Sequence, residues 1–386
     1  MSTIKVQNIQ HTSSSTNAIA LASDGTCIAN ITNNLSNRNK VKNGAMVISQ
    51  RGSQETGIDD SYTGYRAGPD LFKIEGSSFG THTVSKSTDS PNGFANSLKV
   101  DCTTANTSLS AGSYFEYVHK FEGQDLQDFA KGTSDAKQYA VSFNVKTTKT
   151  GTYVVVLQDE DNTRICSKTY TVSNTNWNRY ELIFPADTTG AFVNDNNASL
   201  SVRFVLVAGT TYSSGTLQTT WASTVNANTR VGQVNFADST SNEWYLTGVQ
   251  LEVSDYCTSF EHEPYSTTLL KCQRYYHVLL DNTGGIAENT DFGIGLYYIS
   301  TYLMVPYKIS PEMRATPTLD CTSSSNLYRF YRGGGYDSLD DFTFNNGTPR
   351  FVRLVNSSDA SGTAGQSGIL HIATTTNAKI ALKAEL

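Results

Sequence analysis

Apolar and polar positions alternate along several short stretches of this chain. In residues 139–146 every odd-numbered position is apolar, and three of the four even-numbered positions are polar. The same alternation places apolar residues on one side of residues 180–184 and of residues 200–206. A period of two is typical of antiparallel strands that bury one face and hydrate the other, so these stretches predict strands.

Turn-forming residues separate the predicted strands. Gly, Asp and Asn are concentrated at residues 149–151, 159–162 and 194–197, which therefore predict tight turns. Many short strands joined by polar turns, with almost no helical pattern, predict an all-β fold. We expect residues 44–264 to form a central β-sandwich with jelly-roll topology.

The C-terminal part, residues 265–386, continues the same pattern after a helix-like run at residues 267–274. Further strand-like stretches follow at residues 296–305, 351–355, 369–373 and 380–382. They predict a second, smaller β-sandwich. By contrast, residues 1–43 are dominated by Ser, Thr and Asn and contain few apolar residues, so we expect an extended segment that is disordered or folds only against partners.

Charge and hydropathy restrict the kinds of partner. The chain has 386 residues, of which 17% are charged, and a net charge of −6. Because no basic stripe is present, nucleic acid is not expected as a partner. No stretch reaches the apolar length of a membrane span, so we expect no membrane insertion. The first ten residues lack a charged-then-apolar signal segment, which predicts no secretion through a signal peptide.

One junction in the sequence resembles a junction found in structural proteins of tailed bacteriophages, especially tail fibre and receptor-binding proteins. Residues 244–252 read WYLTGVQLE, residues 258–261 read TSFE, and residues 272–276 read CQRYY. Their order and spacing match the family. Residues 39–52, NKVKNGAMVISQRG, resemble the element that enters the central domain of those proteins.

Three further stretches fit the same family. The start at residues 2–10, the PEMRATP stretch at residues 311–317 and the final AEL are similar to family elements. In residues 311–317 the two prolines frame a turn, and Glu312 could pair with Arg314 across it. Residues 62–72 depart from the pattern of the relatives, and residues 77–136 carry little of the resemblance.

The resemblance implies a virion component in the tail or another surface appendage, made in the host cytoplasm. It implies a homotrimer whose N-terminal segment, residues 1–43, joins other tail or capsid proteins. The central domain of the family is similar to carbohydrate-binding modules. The implied function is therefore adsorption to a host surface glycan, with avidity from several copies. The alternative is a decoration or connector protein of the virion that binds no receptor.

The residues give little sign of catalysis. Acids cluster at residues 159–161 and at Asp337, Asp340 and Asp341, but both sets lie in predicted loops, where acids usually face water. A calcium ion would suit such loops better than catalysis, yet neither has EF-hand spacing. The six cysteines form no C-x-x-C pair and are expected to be reduced, with disulfides as the alternative. We therefore expect no enzyme, no cofactor and no metal site.

The best ligand-binding candidate is the stretch 326–337, which combines aromatic residues, arginines and an acid beside three glycines. Sugars bind to aromatic faces, while charged and amide groups bond their hydroxyls, and Tyr offers both an apolar ring and a polar tip. The predicted ligand-binding residues are Tyr328, Arg329, Tyr331, Arg332, Tyr336 and Asp337. The alternative is an ordinary strand and loop with Tyr328 and Phe330 on one face. Tyr212 and Trp221 are a weaker candidate pair, and Trp177 and Trp244 are predicted to lie in the core.

Overall fold

The structure of the protein is a computed structural model that describes residues 6–10, 12–13, 19–21, 23, 27–29, 36–281, 290–373 and 378–386. About half of the predicted N-terminal segment, including residues 1–5, lies outside the described residues. Its described parts form a three-stranded antiparallel sheet. The strands are β1 (Asn8–Ile9), β2 (Ile19–Leu21) and β3 (Cys27–Ala29).

The central part of the chain forms two six-stranded antiparallel sheets packed face to face. Their elements are β4 (Gln54–Ile58), β5 (Lys73–Ser77), β6 (Thr81–Ser87), β7 (Ser97–Thr104), β8 (Tyr114–Glu122), β9 (Tyr139–Thr147), β10 (Gly151–Asp159), β11 (Arg164–Val172), β12 (Asn178–Phe184), β13 (Ala198–Ala208), the short helix α1 (Thr210–Ser213), β14 (Ala222–Ser223) and β15 (Glu243–Val253). The front sheet has the order β14-β11-β10-β13-β8-β5, and the back sheet has the order β12-β9-β15-β7-β6-β4. The predicted all-β sandwich is confirmed.

The core of this sandwich contains the apolar residues that the alternation predicts. All four odd-numbered apolar residues of β9 are fully buried in it, and so are Leu200, Val202, Phe204 and Leu206 of β13. Val205 points the other way and joins a small apolar cluster on the outer surface of the front sheet. Alternation along a strand thus separates the core from the outer surface.

Strand β15 differs from the simple alternation. Trp244 and Leu246 face the core as expected, but so do Val249 and Leu251. A register shift between Thr247 and Gln250 reverses the phase. Gly248 has a φ of 63° at this point, and a Cβ there would lie 2.5 Å from Asn144 Nδ2. Glycine therefore permits the bulge that keeps both halves of the strand apolar on the inside.

The C-terminal part forms a second, smaller β-sandwich around its own core. Its elements are the helix α2 (Tyr265–Gln273), β16 (Tyr276–Asp281), β17 (Asp291–Ile299), β18 (Tyr302–Lys308), β19 (Thr318–Cys321), β20 (Tyr328–Arg332), β21 (Gly335–Leu339), β22 (Thr343–Thr348), β23 (Phe351–Asn356), β24 (Ser367–Ile372) and β25 (Lys379–Lys383). The small sheet has the order β16-β25-β19, and the large sheet has the order β21-β20-β24-β17-β18-β23-β22. The single strand-like stretch predicted at residues 296–305 is in fact a hairpin with its turn at residues 300–301.

Residues of the bacteriophage-like motifs meet where the two sandwiches join. Gln50 donates to the carboxylate of the buried Asp70 and to the Tyr276 carbonyl, the latter over 2.7 Å. Arg274 forms two hydrogen bonds of 2.8 and 2.7 Å with the buried Glu122, to which the Tyr275 hydroxyl also donates. Four residues of these motifs, Gln50, Arg274, Tyr275 and Tyr276, therefore help to connect the two sandwiches. The boundaries 43/44 and 264/265 themselves stay predictions.

Arg314 acts differently from the expectation. It does not pair with Glu312, which instead forms an ion pair with Arg350 at 2.7 Å. Arg314 donates to the carbonyls of Ala384, Asn196 and Glu385 over 2.7, 2.9 and 3.0 Å. Because Asn196 belongs to the central sandwich, this one guanidinium ties the end of the described chain to both sandwiches.

Candidate functional site

The predicted ligand-binding stretch folds into the hairpin β20–β21 at one edge of the large sheet. Gly333 and Gly334 have φ values of 45° and 85° and form a two-residue turn between the paired residues Arg332 and Gly335. Such a turn needs positive φ at both positions, which glycine adopts without steric cost. The resulting register places Tyr331 opposite Tyr336.

Three of the six predicted residues do not lie on the outer face of this hairpin. Tyr328 is fully buried, with its ring 5.2 Å from that of Phe342. Arg332 pairs with Asp337 through hydrogen bonds of 3.0 and 2.7 Å, and the hydroxyl of the buried Tyr297 donates to the same carboxylate. Burial and this carboxylate together raise the pKa of Tyr297 to about 12. Tyr328 thus belongs to the core, and Arg332 and Asp337 hold the hairpin to β17.

The other three predicted residues come together on the exposed side. The Tyr331 ring lies 5.2 Å from the Tyr336 ring and 4.3 Å from the His371 ring, measured between centroids. The Arg329 guanidinium lies 4.9 Å from the Tyr336 ring centroid. In the described part of the chain, Arg329 Nε has no hydrogen-bond partner, so ring contact rather than a hydrogen bond holds this nitrogen. His371 Nδ1 lies 2.9 Å from Asp291 Oδ1, which adds a carboxylate to the group.

Apolar side chains continue this group across the outer surface of the large sheet. Ile369 of β24 lies opposite both Tyr331 and Ile294 of the neighbouring strands, and Tyr298 follows further along β17. Their exposed fractions are 42% for Ile369, 71% for Ile294 and 66% for Tyr298. We call this surface the outer C-terminal face and define it by the residues Ile294, Leu296, Tyr298, Arg329, Tyr331, Tyr336, Ile369 and His371.

Two open hollows extend the outer C-terminal face over strand β18. One, of about 470 Å³, includes Tyr298, Tyr302, Met304 and Arg353 in its lining. The other, of about 380 Å³, lies near Leu296 and Pro306. Hollows of this size accommodate small organic ligands, and aromatic or apolar walls with a few polar groups are typical of binding sites.

Two glycines leave room for the Phe330 ring on the inner side of the large sheet. Gly295 and Gly368 lie opposite each other on the inner side of the sheet. A Cβ at Gly295 would come within 3.3 Å of the Phe330 ring, and one at Gly368 within 2.8 Å. The core therefore places the Phe330 ring against the two glycines, and the apolar residues alternating with Gly295 occupy the exposed side. Sequence reasoning missed Ile294, Ile369 and His371 because apolar alternation is normally a sign of burial.

Trp221 of the weaker candidate pair packs into the core of the central sandwich, whereas Tyr212 lies in helix α1. Trp221 is 9% exposed, and its indole Nε1 donates to the Pro185 carbonyl over 2.8 Å. Tyr212 lies against Arg230, whose guanidinium is 4.7 Å from the ring centroid and which forms an ion pair of 2.8 Å with the buried Glu116. Arg203 binds Glu116 from the other side at 2.6 Å. Arg230, Glu116 and Arg203 already pair with one another. They therefore hold the segment around Tyr212 against the front sheet.

The predicted tryptophan placements give one confirmation and one correction. Trp244 is fully buried, whereas Trp177 is only partly buried and donates its indole N–H to Asp89 over 2.9 Å. Its polar N–H finds a carboxylate at the surface of the back sheet, where it also meets the Tyr245 ring at 6.1 Å.

The acid clusters have structural partners. Asp159 is fully buried and lies 2.6 Å from Lys131 Nζ, and Asp340 accepts a hydrogen bond from the Asn326 amide. Within the described ranges, no group of three or more His, Cys, Asp and Glu side chains is placed to hold a metal ion. The five cysteines whose side chains are described are free thiols. None of the helices in the described part is long and apolar enough to span a bilayer.

Comparisons with known proteins give similarities of fold only. No protein-family model matches the sequence, and no curated protein matches it. Among solved structures, the chain is similar to a family 11 carbohydrate-binding module from Clostridium thermocellum in complex with a β-1,3-1,4-mixed-linked tetrasaccharide. The identity is 12% and the TM-score 0.26, over 55% of this chain and 99% of the module.

Two further solved structures are similar to the same degree. The C-terminal family 22 carbohydrate-binding module of Clostridium thermocellum Xyn10B is 13% identical, with a TM-score of 0.28 over 55% of this chain and 100% of the module. TmCBM61, in complex with β-1,4-galactotriose, is 10% identical, with a TM-score of 0.28 over 56% of this chain and 99% of that one. At these TM-scores and identities, the similarities assign neither a family nor a ligand to the chain.

Proposed function

We propose that this protein binds a glycan, without catalysis, on the outer C-terminal face. The observation that carries the proposal is the group formed by the exposed Tyr336 with the partly buried Tyr331, Arg329 and His371, beside the apolar surface of Ile369. Aromatic rings with exposed apolar neighbours offer stacking surfaces for the C–H faces of sugar rings. Charged and imidazole groups at their edge offer hydrogen bonds to hydroxyl groups.

In this proposal each residue has its own role. Tyr336, which is 50% exposed, offers its ring to a sugar, and Tyr331 supports it through ring contact. Arg329 offers hydrogen-bond donors next to that ring. Asp291 orients the His371 ring through its contact with Nδ1. The hollows over β18 would take further sugar units of a longer chain.

The resemblance of the motifs supports a narrower role for the same activity. In this proposal the protein is a bacteriophage tail fibre that adsorbs to a host surface glycan. It assembles as a homotrimer, and residues 1–43 join it to other tail or capsid proteins. Three copies of a weak site would then act together, because linked binding events raise the overall affinity.

Binding of the full chain to intact candidate host cells tests this proposal. The test variant carries Tyr331→Ala and Tyr336→Ala, and the control carries Tyr256→Ala and Tyr265→Ala, two tyrosines of similar exposure away from the face. We expect saturable binding for the wild type and the control. The test variant should bind at least tenfold more weakly while its circular dichroism and unfolding temperature stay close to those of the wild type.

Two results would count against the proposal. One is equal binding by the test variant and the wild type, which would remove the outer C-terminal face as the site. The other is the absence of binding to any glycan-bearing cell or glycan array by a well-folded oligomer.

A structural connector of the virion is the second candidate. The exposed apolar residues Ile294 and Phe351, at 71% and 54%, favour it, because large exposed apolar surfaces often mark contacts between proteins. In that case the outer C-terminal face would be buried against a neighbouring virion protein. An Ile294→Asp exchange would then prevent incorporation into particles, and neither this variant nor the wild-type free chain would bind to cells.

A further inference from the structure

A polar cleft of about 550 Å³ lies where the two sandwiches meet, away from the outer C-terminal face. The central sandwich contributes residues around the start of β4 and the segment before β5. The C-terminal sandwich contributes β19, β25 and Glu385. None of the motifs discussed for glycan binding includes the two lysines of β25 that line it.

The cleft gathers positive charge in a chain whose net charge is −6. Its four cations are Arg51, Arg66, Lys379 and Lys383, and its three carboxylates are Glu55, Asp320 and Glu385. The cleft therefore has an excess of one positive charge when all seven groups are ionised. A net positive potential in a partly enclosed cleft attracts ligands of negative charge.

The pairing inside the cleft leaves its lysines weakly neutralised. Arg51 Nη2 lies 2.5 Å from Glu385 Oε2, a close ion pair. Lys379 Nζ is 3.8 Å from Asp320, at the outer limit of an ion pair. Lys383 has no ion pair within the described part of the chain. Both lysines are therefore available to a ligand that brings its own negative charge.

A buried aromatic residue next to the cleft contacts two of these cations. The ring centroid of Tyr276 lies 3.6 Å from the Arg51 guanidinium and 5.2 Å from Lys379 Nζ. The Tyr276 hydroxyl donates to Asp320 over 2.9 Å, which orients the ring. A site whose charged groups are held before binding loses less side-chain entropy when the ligand arrives.

Protonation of Glu385, the ion-pair partner of Arg51, adds to the positive excess near neutral pH. Burial raises the pKa of Glu385 to about 7, although Arg51 opposes this effect. A neutral Glu385 would leave Arg51 without its carboxylate partner. The cleft is thus most positive when the pH lies below that value.

We propose that this cleft binds one anionic group, the carboxylate or phosphate of an acidic sugar. This proposal rests on the proposed glycan-binding function in one respect, namely that the anionic group belongs to a sugar. Lys383 and Lys379 contact the anion, Arg51 completes its neutralisation, and Thr63 and Gln54 at the rim face the rest of the sugar. An acidic surface glycan would then touch the protein at two places, the cleft and the outer C-terminal face.

Isothermal titration of the full chain at low ionic strength tests the cleft. The probes are inorganic phosphate, glucuronate and glucose. We expect phosphate, glucuronate or both to bind and glucose not to bind, and which anion binds distinguishes the two sources of negative charge. The Lys383→Gln variant should weaken anion binding at least fivefold, and Lys383→Arg should retain it. Lys137→Gln, a change at an exposed lysine of the central sandwich, is the control and should leave binding unchanged.

Added salt should weaken the binding, because the interaction is ionic. The proposal is overturned if neither anion binds at low ionic strength, or if Lys383→Gln binds as well as the wild type. Anion binding and cell binding together distinguish failure of this proposal from failure of the proposed function. Anion binding that persists in the Tyr331→Ala and Tyr336→Ala variant, together with loss of cell binding, supports both proposals. Cell binding without any anion binding removes the cleft alone.

Discussion

At the scale of single residues, close backbone approach explains one part of the motif at residues 39–52. Gly44 accepts a hydrogen bond from the Val249 amide over 3.0 Å. A Cβ at Gly44 would lie 2.1 Å from the Val249 carbonyl oxygen, which is far inside van der Waals contact. Glycine at this position is therefore a requirement of packing between the segment before β4 and strand β15.

Replacing Gly44 by alanine should destabilise the protein by about 1–3 kcal/mol, because the backbone has to move to admit the methyl group. Urea unfolding measures the change. Gly112→Ala is the matched control, since a Cβ there meets no atom within 4 Å. A Gly44→Ala variant as stable as Gly112→Ala would show that the two segments do not approach as described.

His82 gives a second prediction at this scale. It is fully buried among the rings of Phe79, Phe115 and Phe236, and neither of its ring nitrogens has a hydrogen-bond partner in the described structure. Burial lowers the pKa of His82 to about 3. Between the ordinary value of 6.5 and that value, the unfolded chain binds a proton that the folded chain does not. Stability must therefore fall as the pH falls through this window.

The His82→Phe variant should lose this contribution. We expect stability at pH 7 to be equal to or above that of the wild type, because a ring without unpaired nitrogens fits the aromatic surroundings. The loss of stability from pH 6.5 to pH 4 should be shallower by up to about 1.4 kcal/mol per pH unit. His119, whose pKa burial also lowers to about 3, keeps some dependence in the variant. Identical pH profiles for both proteins would contradict the account.

At the scale of elements, periodicity predicts the central strands well and the outer C-terminal face poorly. Strands β9, β12 and β13 follow from alternation alone, because each has one apolar and one largely polar face. In strand β17 Ile294 and Tyr298 are exposed whereas Tyr297 is buried, so the residue types do not show which face is buried. The bulge at Gly248 could not be predicted from alternation either. It involves close contacts with Asn144 and Phe94, which lie far away in sequence.

The candidate site was partly predictable for the same reason. The hairpin residues Arg329, Tyr331 and Tyr336 are neighbours in sequence, and their chemistry suggested a site. His371 and Ile369 reach them only through the pairing of β20 with β24. Tyr328 shares the residue type of the site but faces the core. The part of the site that depends on pairing between strands far apart in sequence, Ile369 and His371, could therefore not be predicted from the sequence.

The hairpin turn yields the prediction at this scale. Gly334 has a φ of 85°, and a Cβ there would meet no atom within 4 Å. Gly334→Ala should therefore cost about 1 kcal/mol through backbone strain alone. It should also weaken glycan binding, because Tyr331 and Tyr336 depend on the register of the hairpin.

Gly335→Ala provides the control for this turn. A Cβ at Gly335 also meets nothing within 4 Å, but its φ is not in the left-handed region. Thermal unfolding and glycan binding of both variants form the measurement. Equal effects of the two exchanges would show that the turn geometry does not control the site.

At the scale of the whole molecule, the two sandwiches are joined by polar contacts and by a small apolar cluster. The cluster contains Ile48 and Leu71 of the central part with Cys272 and Tyr275 at α2 and its end. Arg314 adds hydrogen bonds to carbonyls on both sides of the junction. The residues of the bacteriophage-like motifs thus account for the way in which the domains are connected, and the outer C-terminal face lies outside those motifs.

Loss of Arg314 should uncouple the sandwiches. In Arg314→Ala we expect the C-terminal sandwich to unfold roughly 4–8 °C lower than in the wild type, because three carbonyls lose a charged donor. Differential scanning calorimetry should then resolve two transitions that lie further apart. Arg350→Ala, which removes an exposed ion pair, is the control and should change little. A single unshifted transition in Arg314→Ala would show that the junction does not depend on this residue.

The central claim, that a glycan binds to the outer C-terminal face, is tested most directly by hydrogen–deuterium exchange. The full chain is compared with and without a glycan that it binds. We predict slower exchange in β20, β21 and β24, with a further effect in residues 379–385 if the glycan is acidic. Protection confined to the central sandwich, with none in these strands, would contradict the account.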